Sequence, residues 1–239
     1  MGNAAVTKQR ILDAAERMFG THGFDGTTLR SIVKEAGVNL ALVNYHFGSK
    51  EELFQAVVAR MAQPIIERQL AALKQIEATE ESPSVEAVLH AYIRPSIDSL
   101  LSDDQLTLER AKFFARYYME PLSVQEFVDR VFAACDARFL DMLQRALPEQ
   151  SRMQLSWKAE TVVSVMVLAI TQMGRPNSLI RSNSKADRET AISELVAFAA
   201  YGMQGVSQKH ALASERRHST LEQPFHLTVP LSSEQHIDS

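Results

Sequence analysis

The sequence predicts an all-helical protein: an N-terminal three-helix helix-turn-helix domain followed by a larger C-terminal helical bundle. Three observations lead there. Apolar residues recur at three- and four-residue intervals from near the start to about residue 207. Glycine and proline are sparse, nine and eight in 239 residues, which favours long helices over a turn-rich β fold. No stretch alternates apolar and polar residues convincingly enough to make a half-buried strand. On this reading residues 1–50 form the helix-turn-helix domain, 51–207 the bundle, and 208–239, where periodicity gives way to Ser, Gln, His and charge, a disordered tail.

Each element follows in order. The first helix is bounded by Thr7, which can cap it, and by Gly23, with Ile11, Ala15, Met18 and Phe19 on its apolar side. Thr27 and Thr28 open the second, where Leu29, Ile32, Val33 and Ala36 share one face, and Gly37 stops it. Asn39 caps a short third helix reaching about Tyr45. Ser49 caps the fourth, with Glu51 and Glu52 in its first turn favouring the helix dipole. Pro64 interrupts that helix without ending it, since spacing resumes through Ile66, Leu70 and Leu73. Residues 78–84 read as a polar linker, and helices follow near 84–101, 104–119, 122–147, 151–174 and 187–207, punctuated by Pro95, Pro121, Pro148 and Pro176.

Composition narrows the function. With 46% hydrophobic and 23% charged residues the chain is an ordinary globular protein. Its one cysteine, Cys135, excludes an intrachain disulfide and a cysteine-rich zinc site. The N-terminus has no apolar leader, and the run from Val162 to Ile170 is short for a bilayer, so a cytoplasmic protein without a membrane partner is expected. The net charge of −4 does not suggest nucleic acid. Residues 1–60 hold seven Lys and Arg against six Asp and Glu, or +1, which leaves −5 for the rest. Any DNA-reading surface must therefore depend on the placement of a few groups.

The segment 27–47, TTLRSIVKEAGVNLALVNYHF, has the form of a DNA-reading helix-turn-helix. Leu29, Ile32, Val33, Val38, Val43 and Phe47 supply its small core. Thr27 or Thr28 can offer a hydroxyl and free backbone N–H groups to a phosphate. Asn39, Leu40, Ala41, Leu42, Asn44 and Tyr45 face outward on the third helix. Asn44 can pair with an adenine edge, and Leu40, Ala41 or Leu42 can touch a thymine methyl. Tyr45, His46 and Lys50 stand where a hydroxyl, an imidazole and an ammonium reach phosphates.

These residues carry a resemblance. GVNLALVNYHFGSKEELF, preceded by TTLRSIVKEA, resembles the TetR family of one-component regulators, most specifically in Tyr45-His46-Phe47, Gly48 and Lys50-Glu51. The wording VNLALVNYHFGSK is similar to the PsrA-like branch, whose members respond to fatty acids or their acyl derivatives. The resemblance implies a homodimer on a pseudo-palindromic double-stranded DNA operator, a repressor released by an apolar small-molecule effector, and no cofactor. It also implies that the helices near 156–174 and 187–207 pair across the dimer, in keeping with their being apolar nearly all round.

The residues themselves allow an apolar effector pocket. Phe113, Phe114, Tyr117 and Tyr118 cluster on one helix and Phe127, Val131, Cys135, Phe139 and Met142 form a stripe on the next. Together with Met166, Ile170 and Met173 they can line a cavity suited to an acyl chain, or simply pack the core. Two rival functions are weighed. Against an enzyme, no phosphate loop, nucleophile elbow or metal-ligand spacing occurs, and pairs such as Glu80-Glu81 and Asp103-Asp104 sit at helix starts. A DNA-bound protein whose output is protein–protein contact has no distinguishing sequence feature; ligand-induced release from DNA separates it from a sensor.

Overall fold

The computed structural model describes residues 3–101, 107–116 and 120–205. Among them lie nine helices and no strand: α1 (Asn3–Gly26), α2 (Leu29–Ala36), α3 (Leu40–Phe47), α4 (Lys50–Thr79), α5 (Val85–Leu100), α6 (Thr107–Arg116), α7 (Leu122–Ala146), α8 (Arg152–Thr171) and α9 (Lys185–Gln204). The expected tail at 208–239 and the end of the helix expected at 187–207 lie outside the described residues.

Local chemistry sets the helix ends. Thr28, Asn39, Ser49, Ser84, Ser151 and Ser184 each accept a backbone N–H of the first turn that follows. At α4 the cap is reciprocal, because Glu52 accepts the Ser49 N–H while Ser49 Oγ accepts that of Glu52. Gly37 closes α2 in the left-handed region at φ 62°, ψ 40°. Gly23, at φ 74° and ψ 179°, breaks the helical run of α1 three residues before its end, where the sequence places the stop.

Two cores hold the helices together. The first gathers Ile11, Phe19, Ile32, Val43, Phe47 and Phe54 from α1–α4, and is completed by Phe113 of α6 and by Val124 and Val128 of α7. The second packs the lower part of α4 against α5, α7, α8 and α9 around Leu89, Ile93, Phe139, Met142 and Leu195. α4 serves both, with Leu53 to Met61 in the first and Ile65 and Leu73 in the second, so no gap in packing falls at residue 50.

Several expectations change. Pro64 and Pro95 lie inside continuous helices, and Pro95 is buried in α5 where the sequence suggests a break. The buried stripe of α4 beyond Pro64 is Ile65, Gln69 and Leu73, while Ile66 and Leu70 are half-buried beside it. α8 is longer and more apolar than the run at 162–170 implies: an 18-residue window averages a hydropathy of 1.2, enough by length and composition to cross a membrane, yet only 28% of that window is buried. Leu168 and Trp157 keep 57% and 49% of their surface exposed. α9 is held at its end by two buried side chains, since Lys158 Nζ and Gln150 Nε2 both donate to the Met203 carbonyl, at 2.7 and 2.6 Å. Burial pulls the Lys158 ammonium below the usual lysine range.

Candidate nucleic-acid interface and cavity

The third helix presents one clean face. Val43 and Phe47 point into the first core, and Leu40, Ala41, Asn44 and Tyr45 are exposed opposite them, as a period of 3.6 residues requires. Tyr45 keeps 81% of its surface exposed and Leu40 40%. Leu42 and His46 sit half-buried on the flanks. Asn39 is exposed, but its Oδ1 accepts the Leu42 N–H at 2.9 Å, which leaves the amide NH₂ for contacts outward. Among the described residues the Asn44 amide has no hydrogen-bond partner.

The turn between α2 and α3 is rigidly backed. Arg10 of α1 donates from Nη2 to the carbonyls of Ala36 and Gly37, at 2.7 and 3.3 Å, and Arg17 pairs with Glu35 at 3.1 Å. The sequence alone points to neither arginine, because contacts across 26 and 18 residues leave no local signal.

The two threonines before α2 separate. Thr28 is exposed and caps α2, its Oγ1 accepting the Ser31 N–H at 3.1 Å. Thr27 is fully buried and donates its hydroxyl to the carbonyls of Gly23 and Met18, at 2.7 and 3.0 Å. Thr27 is therefore removed from the candidate DNA contacts, because its hydroxyl is turned inward to join α1 to α2. Lys50 begins α4 with its ammonium 4.2 Å from the centroid of the Phe24 ring, a cation–π contact that orients it.

A cavity of about 860 Å³ opens in the bundle, walled by α4, α5, α7 and α8 with Phe114 of α6. Of the residues expected to line a pocket, Phe114, Phe139 and Met166 do so. Tyr117 and Tyr118 lie outside the described residues. Phe113 instead stacks on Phe54 in the first core, with centroids 5.4 Å apart, and Phe127 and Val131 pack against that same core. Cys135 and Ile170 belong to the second core, and Met173 packs against it. Helical spacing places these residues on their helices, but which side each faces is decided by long-range packing.

The cavity also has a polar floor that the apolar stripes do not reveal. Gln69, 1% exposed, donates from Nε2 to the Tyr92 carbonyl at 2.8 Å and to Ser96 Oγ at 3.1 Å, and its Oε1 accepts the Cys135 thiol at 3.2 Å. The Tyr92 hydroxyl donates to Asp136 Oδ1 at 2.6 Å. Burial pushes the Asp136 carboxyl up; the Tyr92 hydrogen bond opposes this, while the charges of Asp129 and Glu160 add to it. Burial first, and the Asp136 charge second, push the Cys135 thiol up to about 12. A glutamine at the four-residue spacing of Ile65 and Leu73 is the one available signal, and it sits within a stripe that otherwise reads as core.

Cavity and reading head meet at α6. Phe114 lines the cavity while its neighbour Phe113 is in the head's core, the two rings edge-on with centroids 5.7 Å apart. Arg110 Nε pairs at 2.6 Å with Glu16 of α1, which is fully buried and also pairs with Arg60 of α4. Just beyond α6, Glu120 accepts the Phe24 N–H at 3.0 Å.

Residues 11–57 match the model of the bacterial regulatory proteins of the tetR family, and residues 90–202 match the tetracyclin repressor-like C-terminal domain. The chain is similar to the HTH-type transcriptional regulator BetI of Agrobacterium fabrum, 28% identical over 53% of this chain and 56% of that one. It is similar to the HTH-type transcriptional dual regulator CecR of Shigella flexneri, 32% identical over 54% and 61%. A shorter match, 43% identical over 38% and 44%, is to the HTH-type transcriptional regulatory protein RaaS of Mycobacterium tuberculosis. The chain thus spans about half the length of these curated relatives. The fold is that of a TetR-like transcriptional regulator from Rhodococcus sp. RHA1, with a TM-score of 0.59 at 19% identity over 86% of this chain and 99% of that one. It is also that of the TetR family transcriptional regulator PfmR from Thermus thermophilus, with a TM-score of 0.54 at 16% identity over 83% and 100%.

Proposed function

The chain belongs to the TetR family of bacterial regulatory proteins, and from that premise we propose that it is a dimeric, ligand-responsive repressor that reads operator DNA with α3. One observation carries this reading: the exposed face formed by Leu40, Ala41, Asn44 and Tyr45, directly beside the capped start of α2. In the major groove Asn44 specifies a base by pairing with an adenine edge, and Leu40, Ala41 and the flank of Leu42 meet thymine methyls. Asn39, Thr28, Tyr45, His46 and Lys50 hold register on phosphates. A reading head so weakly basic needs a second copy to bind well. The exposed apolar residues Met153, Trp157 and Leu168 on α8, with Phe198 and Tyr201 on α9, supply the surface for that dimer.

Effector control would act by population shift. A molecule seated against Phe114 displaces α6, and Phe113 and the Arg110–Glu16 pair carry that displacement into the head. The apolar walls suit the hydrocarbon body of a small molecule, as the resemblance to fatty-acid-responsive regulators suggests. A carboxylate head group, however, would meet Asp129, Asp136 and Glu160 in the lining.

Selection of duplexes from a random library by the full-length protein tests the proposal. The expected result is a two-fold symmetric sequence with half-sites about one helical turn, about 34–36 Å, apart. Recovery of no sequence above background would overturn it.

A further inference from the structure

The cavity has a charge bias that its size and aromatic walls would otherwise hide. Tyr92 and Phe139 are stacked with centroids 4.0 Å apart, and Phe114, Phe132 and Trp157 add ring surface around the same space. Three carboxylates, Asp129, Asp136 and Glu160, share that lining with one guanidinium, that of Arg152. Arg152 is already paired with Asp141 outside the cavity, at 2.7 Å. The described lining is therefore net negative inside a concave, largely apolar wall, where a field is focused and poorly screened.

That combination discriminates by sign. An anion entering the cavity would meet like charge in a weakly hydrated space. A cation would relieve the mutual repulsion of the carboxylates and meet the negative faces of the rings. We propose that the cavity binds an organic cation, an ammonium or phosphonium centre carried on an apolar or aromatic body, with its charge against Asp136, Asp129 and Glu160 and its body against Phe114, Phe132 and Phe139. The volume, about 860 Å³, is ample for a molecule of drug size. This rests on the reading of the cavity as the effector site and goes beyond it by fixing the sign of the ligand's charge.

Tetraphenylphosphonium and tetraphenylborate are near-equal in shape and opposite in charge, and triphenylmethanol is a neutral counterpart. Calorimetric titration of each into the full-length protein reads the proposal directly. The phosphonium ion should bind at least roughly tenfold more tightly than the borate. Glu160→Gln and Asp136→Asn should each shrink that preference, with thermal melts confirming that both variants fold. Glu160→Gln is read alongside because Asp136→Asn also alters the Tyr92 hydrogen bond. Equal or tighter binding of the borate or of triphenylmethanol would overturn the cation proposal and leave the cavity as an effector site. Binding of none of the three would overturn both.

Discussion

Thr27 and Thr28 are neighbours in sequence and face opposite ways. Thr27 gives its hydroxyl proton to two carbonyls of α1, whereas Thr28 is exposed at the start of α2. Thr27→Val keeps the shape and leaves those carbonyls without their donor, so it should lower stability by about 1–3 kcal/mol in urea denaturation. The base preference of the folded fraction should stay as it was. Thr28→Ala removes a cap and should cost about 1 kcal/mol. Cys135 makes a second case. A buried thiol raised to about 12 holds almost no thiolate at neutral pH. Iodoacetamide at pH 8 should therefore leave it unmodified in the native protein and alkylate it in urea; rapid native alkylation would show that Gln69 and the surrounding core do not shield it.

The joint between α1 and α6 depends on a backbone conformation as much as on side chains. Gly23, at φ 74° and ψ 179°, occupies a region that is nearly closed to other residues, and a Cβ there would lie 2.6 Å from Glu120 Oε1. Gly23→Ala should cost about 1–3 kcal/mol of strain, measurable as a lowered urea midpoint. Gly23 and Gly37 are legible as stops, and Thr28, Asn39 and Ser49 as caps, because capping and left-handed closure depend on residues within a few positions. The partners of α6 are not legible. Phe113 and Phe114 are adjacent aromatics with the same propensities, and only packing against Phe54 sends one into the head's core while the other lines the cavity. Gln69 escapes for a similar reason. Nothing local shows that Tyr92, Ser96 and Cys135 will converge on it from two other helices.

Assembly reads most clearly from α8 and α9. Their apolar composition is evident in the sequence, and the structure divides it between two faces. Ala199 and Ala200, expected to permit close approach between copies, are buried in the chain's own core; Phe198, Tyr201 and Gly202 remain on the free side. Phe198→Asp with Tyr201→Asp should give a monomer by light scattering and weaken operator binding by about a hundredfold or more, since two weakly basic heads would no longer bind as one unit. Asn44 offers the most direct test of DNA reading through α3. Binding of the wild-type protein and of Asn44→Ala should be compared on the selected duplex and on its single-base variants. Asn44→Ala should lose about 1–3 kcal/mol and become indifferent to base identity at one position in each half-site; unchanged affinity and unchanged discrimination at every position would contradict recognition by this face.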